Sequence, residues 1–458
     1  MKVLILNGSP KGKKSVTLQT ALYLEKRHPE HEFTVIDVGR RIQYYEKNFE
    51  EVQKELEQAE LIIFAYPVYT FLAPYQLQRF LELLKENGIT LKDKYATQIT
   101  TSKHFYDVTA HRFIEENCLD LQAWYLEGFS ADMDDLLTEK GQRQADNYFN
   151  KLFFDLSRGA FSARKTEVQS AERKIYPRSI PEGEKTGQKD VLVLTNTAGQ
   201  NESLQNMIAD FAAGCPHPVR IVNLRDFSFA GGCLGCLACA SNGKCVYHDG
   251  FEDFLRNDIL NADAIVYAFE IENHYAHSSF KCYDDRQFCN GHRFAAEGKP
   301  VGYIISGNYQ KEANLQMVIE ARSEVGEVYL CGIATDEGET KEALVHLTES
   351  ICYVLENPME KPQNFYGVGG RKIFRDLVYL MRGMMRADHQ YYKKHGVYDF
   401  PQKQVGKMLQ MKAAGALLSI PAVQKKMNGN MDQYILAPYQ KIIANAKAEN
   451  RMGQKDEK

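Results

Sequence analysis

No apolar run in these 458 residues approaches the roughly 20 that a membrane-spanning helix needs. A span is therefore not expected. The apolar stretch Lys2-Val-Leu-Ile-Leu6 is too short for the core of a secretion signal and is not followed by a small-residue cleavage site, so a cytoplasmic location is expected. An excess of positive charge is missing as well. With 56 Lys and Arg against 60 Asp and Glu, the net charge of −4 offers no global basic field for a nucleic acid partner. No Gly-x-Gly-x-x-Gly follows a candidate strand, which excludes a separate dinucleotide-binding domain of the usual kind, and no helix-turn-helix or other output module is visible. What remains, 44% hydrophobic and 25% charged, is the composition of an ordinary soluble globular protein. At about 150 residues per domain the length allows about three domain-sized units.

Cysteine is scattered except in one place. Four of the 10 cysteines fall in Cys233-Leu-Gly-Cys236-Leu-Ala-Cys239-Ala-Ser-Asn-Gly-Lys-Cys245, spaced C-x2-C-x2-C-x5-C. Two-residue spacers let several sulfurs converge on one centre, and Gly231, Gly232, Gly235 and Gly243 permit the tight backbone this requires. An iron–sulfur site fits better than structural zinc, which usually takes its ligands as two separated pairs. A redox pair or a disulfide knot is the remaining alternative. Cys118, Cys215, Cys282, Cys289, Cys331 and Cys352 read as small hydrophobes in a reducing compartment, with Cys282 and Cys289 close enough together to watch.

The chain opens with a buried strand, Lys2 to Leu6, then the polar loop Asn7-Gly-Ser-Pro-Lys-Gly-Lys-Lys-Ser-Val-Thr17 and a helical pattern at Leu18, Ala21, Leu22 and Leu24. Such a loop presents backbone N–H groups and hydroxyls at a helix N-terminus, where an anion is favoured. A Walker A loop is excluded by spacing: three residues separate Gly8 from Gly12, and Lys13 is followed by Lys14. Further strands are predicted at Phe33 to Val38, Leu61 to Ala65, Tyr95 to Thr100 and Trp124 to Phe129, with helices at Phe49 to Gln58 and Gln76 to Leu84. Loops after the third and fourth strands, Tyr66 to Pro74 and Thr101 to His104, should open into the same crevice as the first. His104 and His111 are expected to be solvated.

After a linker rich in charge, Ser, Pro and Gly the pattern restarts, Asp190 to Leu194 repeating Lys2 to Leu6 and Ala262 to Val266 repeating Ala59 to Ile63. The interval from Leu224 to Ala262 is much longer than its counterpart from Val38 to Ala59, and the surplus is the cysteine loop. The predicted architecture is α/β: two flavodoxin-like, doubly wound, parallel five-stranded sheets in tandem, plus a helical C-terminal extension. The units are expected at 1–160, 189–357 and 358–458, with the linker at 161–188. In the extension Phe374, Leu377, Val378, Met381 and Met385 fall at helical spacing beside several arginines, a face for packing on the body or for a dimer contact, with membrane-surface binding a further alternative.

Cys233, Cys236, Cys239 and Cys245 match the compact motif of the iron–sulfur flavoproteins, and the chain resembles that branch of the NAD(P)H-dependent FMN reductases. The resemblance implies FMN, a [4Fe-4S] cluster on those four cysteines, and NAD(P)H as co-substrate. Gly8, Ser9, Pro10, Ser15 and Thr17 are similar to the family's FMN-phosphate loop. Lys11 stands where Arg is usual, and Val16 replaces an Asn. Pro67, Val68 and Tyr69 are similar to the segment that borders the flavin ring, and Thr101 and Ser102 complete the implied cofactor contacts. The second copy lacks this pattern, reading Thr195 to Glu202 and Glu270-Ile-Glu272 at the corresponding places. One copy has kept the flavin loops and the other the cluster loop, so the two are expected to face each other. The implied function is a flavin-dependent oxidoreductase passing electrons between NAD(P)H or a reduced protein donor, FMN and the cluster. Alternatives are a non-enzymatic electron carrier and a flavin or cluster redox sensor. The expected partners are small-molecule or protein electron donors and acceptors, with a homo-oligomer within reach.

Overall fold

The computed structural model describes residues 1–163, 175–428 and 431–445. The predicted linker, 161–188, falls partly outside them; Ser162 forms an isolated bridge with Tyr125, and 175–188 has no regular secondary structure. In the first copy the strands are β1 (Lys2–Asn7), β2 (Glu32–Ile36), β3 (Leu61–Pro67), β4 (Tyr95–Ser102), β5 (Trp124–Tyr125) and β6 (Phe129–Asp132). All pair in parallel, in the order β2-β1-β3-β4-β5. β6 also pairs with β4, further along it. The predicted fifth strand is thus broken in two. At the break a side chain on Gly128 would overlap the side chain of Gln98, so only glycine fits where the chain passes Gln98 and His111.

The second copy contributes β7 (Val191–Thr195), β8 (Val219–Asn223), β9 (Ala264–Glu270), β10 (Pro300–Ser306) and β11 (Tyr329–Thr335), parallel in the order β8-β7-β9-β10-β11. Strands buried on both faces explain the unbroken apolar runs. Along β1, Val3 and Ile5 join one hydrophobic cluster while Leu4 and Leu6 join another, as the two-residue period of a strand requires.

The loops after β3 and β9 reveal the duplication where the sequences have diverged. Tyr69 bridges to Leu72 and Glu272 to Tyr275. Between them Thr70 and Phe71 have φ of 42° and 70°, and Asn273 and His274 have φ of 54° and 65°. The helices after these loops, Tyr75–Glu86 and Ser278–Arg286, pack against each other and cap each other. Asp285 Oδ2 accepts from Tyr75 N at 2.7 Å, and Glu82 Oε1 accepts from Ser278 N at 2.6 Å. Gln78 Nε2 donates to Ala276 O at 2.5 Å, and Lys281 Nζ donates to Tyr69 O at 2.9 Å while paired with Asp285. One hydrophobic cluster runs through both copies, joining Leu4 and Phe64 to Leu194, Tyr267 and Tyr303.

Residues Met1–His395 form one compact unit. It includes the helix Phe365–Leu380, packed on Ala313–Val325, and the helix Arg386–Lys394, packed on the short helix Ala238–Asn242. The second unit, Gly396–Lys458, contains the helices Val405–Leu418, Pro421–Asn428 and Met431–Asn445. Residues 446–458 lie outside the described set. Among the described residues no helix is long and apolar enough to cross a membrane.

His274 joins the copies electrostatically. Its Nε2 lies 3.2 Å from Asp120 and its Nδ1 3.0 Å from Glu312. Burial disfavours the imidazolium, but the hydrogen bonds and charges of these two carboxylates win and raise the His274 pKa to about 9. A raised pKa gives stability that is fully present below the unfolded value near 6.5 and is lost as pH rises through 9. His274→Gln should therefore destabilise the unit by about 2–3 kcal/mol near pH 6, with the difference shrinking toward zero above about pH 9. Urea denaturation at a series of pH values checks this, and a pH-independent penalty contradicts it.

Candidate functional site

The loop after β1 is built from its own side chains. Asn7 donates to Asp37 at 2.7 Å and accepts from Ser9 N at 3.3 Å, and Ser9 Oγ accepts from Lys11 N at 3.3 Å. A side chain on Gly39 would overlap the backbone of Gly8, so the two loops lie main chain against main chain. Ser15 caps the Val16–Arg27 helix, accepting from Leu18 N at 3.4 Å. Thr17 Oγ1 meets Thr101 Oγ1 at 2.6 Å, tying the first loop to the end of β4. Lys103 is paired with Asp132 and Asp134, at 2.6 and 3.1 Å.

The cysteine loop is held from both copies. The Arg286 guanidinium, buried at 2% exposure, makes two 2.8 Å bonds to Asp249 and donates to Gly231 O at 2.9 Å, with Tyr247 and Phe251 beneath its face. Tyr247 Oη donates to Gly232 O at 3.1 Å. From the first copy, Gln76 Nε2 reaches Cys233 O at 3.4 Å, and a side chain on Gly232 would meet Tyr75 and Gln76. Gly235 N points at Cys233 Sγ, 3.4 Å away.

These loops enclose one cavity of about 250 Å³. It is lined by Ser9, Lys11, Ser15, Thr17, Pro67, Val68, Tyr69, Thr101 and Ser102 from the first copy and by Cys233, Cys236, Cys239 and Cys245 from the second. Pro10 is buried and is not among the lining residues. The remaining walls were not foreseeable as such from the sequence. Phe288, Cys289 and His292 come just after the Ser278–Arg286 helix, while Phe374, Leu377, Met381 and Met385 come from the C-terminal segment. Apolar spacing marked that last group as a packing face, but nothing in it signalled a cavity wall. His292 is held by the buried Asp388, 2.8 Å from its Nδ1.

Burial pushes the Cys233 thiol up, pushes Cys239 to about 11 and pushes Cys289 to about 12. Cys236 is exposed, while Cys282 is buried and does not line the cavity. Among the described residues, Glu116, His274 and Glu312 are the group of three ligand atoms lying within 4.8 Å of one another; the loop thiols are spread more widely. Of the two histidines expected to be solvated, His104 is exposed and bound to Asp107, whereas His111 is half-buried, 2.7 Å from Thr100 Oγ1, and burial lowers its pKa to about 4.

The corresponding place in the second copy is occupied by its own hydrogen bonds. Asn201 donates to Ser306 at 2.9 Å, Ser306 to Asp336 at 2.7 Å, and Asp336 also accepts from Gly307 N at 3.0 Å. A carboxylate thus stands at the loop that would receive a phosphate.

Residues 1–131 match a family model described as the flavodoxin-like fold. No curated protein matches the chain significantly. Among solved structures it is similar to general stress protein 14 of Treponema denticola in complex with FMN, at 18% identity over 34% of this chain and 99% of that one, with a TM-score of 0.28. It is also similar to an NADPH-quinone reductase from P. pentosaceus, at 16% identity over 33% and 97%, TM-score 0.28. A third is the apo form of an NADH:FMN oxidoreductase, at 16% identity over 36% and 91%, TM-score 0.29.

Arg286 is the buried cation on which the cysteine loop turns. Replacing it with Met should cost about 3–5 kcal/mol, because Asp249 is left half-enclosed without its partner. It should also speed alkylation of Cys233 at least about tenfold, to the range of an unprotected thiol. Denaturation together with mass-spectrometric labelling rates measures both, and unchanged labelling contradicts this role for Arg286.

Proposed function

From a chain whose first 131 residues have the flavodoxin-like fold, we propose a flavin-dependent oxidoreductase that carries FMN in its first copy and a [4Fe-4S] cluster on Cys233, Cys236, Cys239 and Cys245 of its second. The observation that carries the reading is the single cavity into which both residue sets open. NAD(P)H or a reduced protein is the electron donor. Flavin supplies exchange between two-electron donors and one-electron acceptors, and a cluster supplies one-electron transfer.

Ser9, Lys11, Ser15 and Thr17 suit a phosphate, since they gather hydroxyls and one ammonium at the N-terminus of the Val16–Arg27 helix. Pro67, Val68 and Tyr69 would border the ring, with Thr101 and Ser102 at the end of β4 beside them. The donor set of the other wall is four thiols. Four thiolates delivered as one continuous run suit an iron–sulfur cluster, whereas structural zinc usually takes its ligands as two separated pairs. The wall formed by Phe288, Phe374, Leu377 and Met381 excludes water from the same space, which strengthens charge interactions inside it.

Anaerobically purified protein should contain about one FMN, four iron and four sulfide per chain and should consume NAD(P)H with an added acceptor. Reduction only by a protein donor identifies the carrier alternative. Lys11→Glu places a carboxylate against the phosphate and should weaken FMN binding about 100-fold or more, read by flavin retention on gel filtration. Full retention contradicts the loop assignment. Cys236→Ala should lose the iron and labile sulfide; zinc at one per chain without sulfide in the wild type overturns the cluster.

A further inference from the structure

The tip of the cysteine loop lies against both flavin loops of the first copy. Gly235, at φ 60°, has no room for a side chain: a Cβ there would overlap the Tyr69 hydroxyl, lie 2.9 Å from Tyr69 Cζ and 3.5 Å from Lys11 Cε. Tyr69 is therefore held at both ends by the second copy, its carbonyl by Lys281 Nζ at 2.9 Å and its hydroxyl end by Gly235. Lys11 and Tyr69 are the residues that would meet the phosphate and the ring.

Arg286, Tyr247 and Gln76 pin the start of the loop, and a metal on its sulfurs would constrain the rest. Gly235, Leu237 and Gly243 all sit at left-handed φ, of 60°, 62° and 81°, and the four cysteines are free, so a metal shared among them would add a tie between these turns. We propose that Gly235, through Tyr69 and Lys11, makes the cysteine loop a working wall of the flavin site, so that metal occupancy of the loop and FMN affinity are coupled. Coupling between two sites is reciprocal, and about 5- to 150-fold is a usual size. Loss of the metal then loosens the flavin, and flavin retention reports the state of the loop. This deepens the function proposed above and rests on it.

Gly243 provides the control, since it has the same left-handed backbone in the same loop but its nearest foreign atom, on Arg293, is 3.8 Å from where a Cβ would lie. Full-length protein is stripped of flavin, with or without removal of iron by an anaerobic chelator, and FMN is titrated by fluorescence quenching. Iron-replete wild type should bind FMN at least about fivefold more tightly than iron-stripped wild type. Among iron-stripped proteins Gly235→Ala should raise the Kd at least about tenfold, and Gly243→Ala less than about threefold, because both carry the backbone strain but only the first meets Tyr69. Adding Tyr69→Phe to Gly235→Ala should recover part of the loss. Equal affinities with and without iron, or equal effects of the two glycine variants, overturn the coupling alone. Wild type that binds no FMN in either state overturns the flavin reading and the coupling with it.

Discussion

Two helices that cap each other hold the two copies together. Glu82 accepts the first N–H of the Ser278–Arg286 helix, and Asp285 accepts the first N–H of the Tyr75–Glu86 helix. Each carboxylate satisfies an orphan donor at a positive helix terminus, and each is nearly sealed from water, so removal of either leaves a buried donor without a partner. The exchange fixes the offset between the helices to within a hydrogen bond, and the sheets are fixed with them because each helix is packed on its own strands. A continuous hydrophobic cluster then covers the joint, and the two copies behave as one unit.

Everything about the cavity descends from that offset. The loop after β3 ends in Pro74, immediately before the capped helix, and the Ser278–Arg286 helix ends in Arg286, which pins the cysteine loop. A shift of one helix along the other by a turn would carry Tyr69 and Gly235 about 5 Å apart. The two copies could diverge because they stopped being interchangeable: one kept hydroxyls and a lysine at its first loop, the other filled the same place with Asn201, Ser306 and Asp336 bonded to one another.

The fold was legible because parallel strands buried on both faces write themselves as continuous apolar runs, and two such series are hard to mistake. Boundaries were close where a run ended in a turn, as at Ala65 to Pro67, and failed at Trp124 to Phe129, where the strand breaks beside Gly128, which passes tightly against the Gln98 side chain, without any change in the apolar pattern. His111 looked polar and solvated, yet the backbone hides it beside Thr100. The first-copy loops and the four cysteines could be named because their chemistry is concentrated in short stretches. The wall from Phe374 to Met385 could not, since an apolar helical face says only that something covers it. Nor could Gly235 be told from its neighbouring glycines by sequence, because it is singled out by the hydroxyl of a residue in the other copy.

The cavity draws its walls from the first copy, the second copy and the segment after them, which are made at widely separated times. Lys11 and Tyr69 emerge first, the cysteines only after a second sheet has begun, and Met381 and Met385 after both sheets are complete. During synthesis N-terminal parts of a chain fold ahead of C-terminal ones. The chamber accordingly gains its last wall from the helix Phe365–Leu380 and the turn that follows it, Met381 to Met385. Assembly order is built into the sequence order.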